Sequence, residues 1–156
     1  MQLTIELRYN IIRKGKKKMI EFNLVKGLKG IAQTTVNKEN SAEMYAKPMP
    51  PAFATPMLVS LMDLAAINAV KKNLPEGHIS IASKISITHL AATPLGVTVT
   101  ADATLIDIFQ NRLTFQVNAF DEVEKIGEGT VERYIIDLGK FTKKMLERKK
   151  PLEDDF

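Results

Sequence analysis

The chain has 156 residues, 45% of them hydrophobic and 26% charged, with a formal net charge of +4 and no cysteine. That length suits one domain with a core of its own, and the missing cysteines exclude disulfides and thiolate chemistry and leave only His78, His89 and carboxylates as thin support for a metal site. No apolar run approaches the roughly 20 residues that span a bilayer, and the N-terminal basic cluster follows its apolar stretch, the reverse of signal-peptide order; the expectation is a cytoplasmic protein with no membrane contact.

The charge is uneven. Residues 1–18 hold six Lys/Arg against Glu6, and residues 140–150 another six against Glu147. Setting these twelve bases and two acids aside leaves ten bases against sixteen acids, so the middle carries a net −6.

The opening MQLTIELRYNII alternates apolar Leu3, Ile5 and Leu7 with Thr4, Glu6 and Arg8, a strand pattern, and runs through RKGKKK to Met19. It reads either as an edge strand with a basic turn or, preferred here, as an extension before a natural start at Met19. The division expected is therefore an extension at 1–18, a domain at 19–150 and a tail at 151–156. Nucleic-acid binding through RKGKKK lacks the interleaved aromatics of such a patch, since only Tyr9 is near.

Next, LVKGLKGIAQTTVN (24–37) predicts a loop at Gly27–Gly30 and then a strand. Residues 38–54 end with Pro48, Pro50 and Pro51, which exclude regular helix or central strand there. Their Met44, Tyr45, Met49 and Phe53 suggest an apolar flap; a helical turn or a plain connection serves equally well. The strongest helix signal is 55–73, with Thr55 as N-cap and Pro56 at the first helical position. Leu58, Leu61, Met62, Ala65 and Ala69 mark one face, yet Val59, Ala66, Ile67 and Val70 make the helix apolar nearly all round, so it must be buried on most sides.

Strands follow. In 78–89, Ile79, Ile81, Ile85, Ile87 and His89 share one face by strict alternation. A turn at Thr93-Pro94-Leu95-Gly96 leads to a half-buried strand of Val97, Val99, Ala101, Ala103 and Leu105, whose pattern slips at Leu105-Ile106 and predicts a bulge or a bend. Strands at 113–120 and 126–138 come next, then a short basic helix at 139–150 and an acidic tail. One buried helix followed by four turn-connected strands implies an α+β domain, an antiparallel sheet wrapped around the helix, called a hotdog fold. One sheet around one helix leaves apolar surface, so a homodimer extending the sheet, or a higher assembly of such dimers, is expected.

Three residues invite chemistry. Asp63 is the one charged residue between Lys47 and Lys71, set among apolar neighbours. Burying an unpaired carboxylate costs several kcal/mol, so it needs either a structural partner, such as a salt bridge or a bond across a dimer interface, or a role as general base or nucleophile. His89 ends its strand on an apolar face, where a satisfied core histidine competes with an acid/base. Thr55 is most economically a cap, although a helix N-terminus also offers free N–H groups to an oxyanion. Gly127-Glu128-Gly129 is too short to count as a phosphate loop.

The segments FATPMLVSLMDLA (53–65), ITHLAATPLGVTVTA (87–101) and IGEGTVER (126–133) resemble those that mark the fluoroacetyl-CoA thioesterase family. The resemblance, over about residues 22–145, implies a hotdog thioester hydrolase that acts on an acyl-CoA and needs no cofactor. It implies cooperation of a threonine, a carboxylate and a histidine, matching Thr55, Asp63 and His89, and an arginine at the acyl pocket, matching Arg133. The departures are informative: Asp63 replaces the family's glutamate, Ala82 a glycine lining the acyl site, Val131 a histidine, and Met49 a phenylalanine in a shortened lid before Phe53. They imply a short- or medium-chain acyl group rather than fluoroacetate specificity. A non-catalytic acyl-CoA or small-ligand binder on the same fold is the alternative, followed by a hotdog hydratase.

Overall fold

A computed structural model describes residues 7–13 and 16–149. β1 (Leu7–Arg13) and β2 (Lys16–Phe22) pair as an antiparallel hairpin of their own, with Met19 inside β2. The other strands are β3 (Lys29–Thr35), β4 (His78–His89), β5 (Thr98–Phe109), β6 (Arg112–Phe120) and β7 (Lys125–Asp137). They form one antiparallel sheet in the order β3-β5-β6-β7-β4. The expected basic helix is α2 (Leu138–Leu146), capped by Asp137, whose carboxylate accepts from the Lys140 N–H. The acidic tail lies outside the described residues.

The central helix α1 (Thr55–Val70) packs on one face of the sheet, mainly against β3 and β5, and a 3-10 turn extends it to Asn73. This is the expected hotdog arrangement. Val99, Ala101, Ala103 and Leu105 of β5 and Leu113, Phe115, Val117 and Ala119 of β6 are fully buried beneath the helix. Small residues let the layers approach closely. Gly30 belongs to β3 rather than to the preceding loop, and a Cβ there would collide with the Ala65 carbonyl and the Ala69 backbone. Of the bulge or bend expected at Leu105-Ile106, the structure has a register shift in the β5–β6 pairing between Leu105 and Asp107.

Two local expectations need correction. The N-cap of α1 is Ala54, with no side-chain capping bond; Thr55 is already helical and Pro56 follows it within the first turn. The face assignment in β4 also fails, because its pairing with β7 shifts between Ala82 and Lys84. One extra residue reverses the alternation. Ile85, Ile87 and His89 keep the helix-facing side, whereas Ile79 is 38% exposed and Ser80 is buried in its place.

The helix is not covered all round. Leu58, Leu61, Met62, Ala65, Ala66, Ala69 and Val70 are buried, but Leu64 is 45% exposed, with Asp63 and Ile67 half-buried beside it. That exposed side of the helix and the outer edges of β3 and β4, the two end strands of the sheet, are unpaired among the described residues.

Candidate active site

The start of α1 and the end of β4 are brought together by backbone bonds. The Ala54 N–H donates to the Asn40 carbonyl and the Phe53 N–H to the Thr93 carbonyl, each at 2.9 Å, while the Leu90 N–H donates to the Ile126 carbonyl at 2.7 Å. Asn40 and Thr93 are buried polar residues, so these anchors are rigid. With Ala54 in the cap position, the Thr55 hydroxyl is released from capping. It lies 2.8 Å from His89 Nδ1, a hydrogen bond across 34 residues of sequence.

The first turn holds fewer free donors than a bare helix end. The N–H groups of Met57 and Leu58 both go to the Ala54 carbonyl, and Pro56 has none. Among the described residues, the Thr55 N–H alone of this turn has no acceptor. His89 is half-buried, and its Nε2 is enclosed without a hydrogen-bond partner among the described residues. Burial lowers its pKa below the ordinary 6.5, a shift that the nearby Ala91 backbone partly offsets. The ring is therefore neutral near pH 7. When Thr55 donates to Nδ1, Nε2 carries the proton; when Nδ1 donates, Nε2 is the base.

A second cluster lies farther along the helix. Asp63 is ion-paired with Arg133 on β7 through Oδ1 and Nη1, within the chain and not across an interface. Arg133 Nε donates to Ser80 Oγ at 2.9 Å and Nη2 to the Ser80 carbonyl at 2.7 Å. The Arg133 side chain is 4% exposed and that of Asp63 is 23% exposed, so the carboxylate is paired and partly open rather than sealed in. The pairing accounts for how the carboxylate is tolerated in the helix. Ser80 carries no signal in the sequence, because only the β4 bulge turns it inward.

Of the other expected residues, Ala82 pairs with Arg133 across β4 and β7 and is exposed at the open side. Met49, like Met44 and Tyr45, is exposed in the segment that precedes the helix, while Phe53 is buried in the core. Val131 is fully buried, so the position that is histidine in the family is plain core here. Thr55 and Asp63 are eight residues apart on one helix, about 12 Å along its axis at ~1.5 Å per residue. Within one chain they form two separate groups. Among the described residues there is no cluster of three or more potential metal ligands, and no helix is long and apolar enough to cross a membrane.

Comparison with known proteins follows this geometry. A family model described as fluoroacetyl-CoA-specific thioesterase matches residues 36–138. The fluoroacetyl-CoA thioesterase of Streptantibioticus cattleyicolor is 42% identical over 99 residues, 64% of this chain and 71% of that protein. A solved structure of fluoroacetyl-CoA thioesterase superposes with a TM-score of 0.75 at 34% identity, covering 82% of this chain and 98% of that one. Variants of that enzyme have been solved with fluoroacetate and with acetyl-CoA. A thioesterase superfamily member from Thermus thermophilus superposes with a TM-score of 0.73 at 28% identity, over 80% of this chain and 94% of that one. Fold and relatives together define a hotdog-fold thioester hydrolase. Within that class, the chain belongs to the fluoroacetyl-CoA-specific thioesterase family.

Proposed function

We propose that this enzyme hydrolyses short- or medium-chain acyl-CoA thioesters, is not confined to fluoroacetyl-CoA, and works as a homodimer. The observation that carries the reading is the 2.8 Å bond between Thr55 Oγ1 and His89 Nδ1, which fixes an uncharged imidazole beside a helix N-terminus. The thioester carbonyl sits against the Thr55 N–H and hydroxyl, which receive the developing oxyanion. Water adds to the carbonyl carbon with its proton passing to Asp63 or His89; alternatively Asp63 itself attacks, and water then cleaves the acyl anhydride. Collapse of the tetrahedral intermediate breaks the C–S bond. The CoA sulfur leaves as a thiol, taking the proton that Asp63 or His89 received from the attacking water; when Asp63 attacks, the sulfur leaves as a thiolate that solvent protonates, and His89 is the base for the water that cleaves the anhydride. The acyl group leaves as a carboxylate.

The dimer is part of the proposal, because the two groups on one helix lie too far apart to serve one carbonyl. A second copy that supplies Asp63 to the Thr55–His89 pair completes the site, and it covers the exposed Leu64 side of the helix. The loss of fluoroacetyl preference is supported by the exposed methyl of Ala82, by the shorter side chain of Asp63, and by a buried valine, Val131, where the family has a histidine. Residues 44–53, with Met49 exposed among them, serve as the lid in this reading.

The test is thiol release across a panel from acetyl- to medium-chain acyl-CoA, with fluoroacetyl-CoA included. Turnover of several members without marked preference for fluoroacetyl over acetyl is expected. Tight binding without thiol release would establish a ligand-binding protein instead.

A further inference from the structure

All three guanidinium nitrogens of Arg133 are engaged inside the protein, two by Ser80 and one by Asp63. At 4% exposure the side chain is not presented to an acyl group. We propose that Ser80 is a positioning residue, which through Arg133 fixes the orientation of the Asp63 carboxylate. The inference rests on the role given to Asp63 above and assigns the apparatus that aims it.

An arginine side chain has several rotatable bonds, and one ion-pair contact leaves its planar head free to swing. Ser80 clamps that head at two points, Oγ on Nε and the carbonyl on Nη2, so that Nη1 is left pointing at Asp63. Forked, coplanar donors transmit direction as well as charge. The clamp depends on backbone: with the β4–β7 register shift between Ala82 and Lys84, Ser80 is buried on the Arg133 side, where unbroken alternation would place Ile79 and Ile81. A bulge that removes an isoleucine from the core and buries a serine has no gain in packing, whereas supporting a reactive carboxylate gives it one.

Ser80→Ala deletes the Oγ contact alone and leaves the carbonyl contact in place. Thiol release should show kcat lower by roughly tenfold with KM changed by less than about twofold, the pattern of a group misaligned in the transition state. Ser80→Thr, which restores a hydroxyl, should recover most of the rate. In an Asp63→Asn background, Ser80→Ala should cause no further loss, because its effect passes through that carboxylate. Thermal denaturation of each variant reports folding; if Ser80→Ala does not fold, the near-isosteric Ser80→Cys, a weak acceptor, carries the same test. Wild-type kcat in Ser80→Ala, or an equal loss with and without Asp63, overturns the positioning role. Full turnover in Asp63→Asn instead refutes the site assignment beneath it, a separate result.

Discussion

Consider two variants, His89→Ala and Asp63→Asn, each expected alone to lower turnover by orders of magnitude to a small measurable residue. The eight residues from Thr55 to Asp63 set the two halves of the site about 12 Å apart on one helix, while Thr55 and His89 are hydrogen-bonded to each other. If each site takes its histidine from one protomer and its carboxylate from the other, a mixed dimer has one site with both defects and one with neither. Random exchange of equal amounts makes about half the dimers mixed, so the preparation should recover roughly a quarter of wild-type turnover. Dimers carrying two different affinity tags, purified over both, should recover roughly half. The converse pairing sharpens the test. Wild type mixed with a chain carrying both substitutions gives an inactive heterodimer when sites cross between protomers, and a half-active one when they do not. The assay is thiol release at saturating acyl-CoA. An inactive heterodimer in the first pairing with half activity in the second would refute the shared site.

Other consequences follow from single residues. The pKa of His89 is lowered by burial, so the neutral base persists below pH 6.5 and the acidic limb of the kcat/KM profile should fall below that value. The same shift makes folding less favourable as pH drops through 6.5, where the unfolded chain takes up the proton first, and the loss levels off below the folded pKa. His89→Gln should flatten that part of a Tm–pH curve, and an unchanged curve would count against it. Gly30→Ala should cost about 1–3 kcal/mol or more in chemical denaturation, because the new methyl meets the helix backbone and not a movable side chain. Asp121 accepts from the buried Thr93 hydroxyl and from the Val123 and Glu124 N–H groups. Although its burial acts the other way, these bonds lower its pKa below 3.8, so its contribution is present above that value and is lost as pH falls through the lower folded pKa. Asp121→Ala should destabilise by about 1–3 kcal/mol, through the hydroxyl left without a partner.

Much of the fold was legible because its signals are local. The helix announced itself by length, apolar content and a proline within its first turn; β5 and β6 by alternation that the structure repeats as buried Val99, Ala101, Ala103 and Leu105 facing Leu113, Phe115, Val117 and Ala119. The slip at Ile106 was visible because it breaks an otherwise regular pattern. Thr55 was misjudged as a cap for an equally local reason. A threonine before proline at a helix start satisfies the capping preference, and only the approach of His89, 34 residues away, shows that the hydroxyl is used elsewhere.

The bulge in β4 is the opposite case. Reading HISIASKISITH by alternation gives one face of Ile79, Ile81, Ile85, Ile87 and His89 without a flaw, and that regularity conceals the irregularity. The inserted residue lies in Ala82-Ser83-Lys84, small and polar residues that fit either face, so no hydrophobic residue falls out of phase to mark it. Its cost appears elsewhere, as an isoleucine turned outward at Ile79. What it gains is Ser80 against Arg133, and through Arg133 a partner for the one charge on the helix. Asp63 could be recognised from the sequence as a carboxylate in need of an explanation. Supplying the explanation required a contact across 70 residues and a strand whose phase changes midway, and functional sites are where such breaks of local regularity are expected to concentrate.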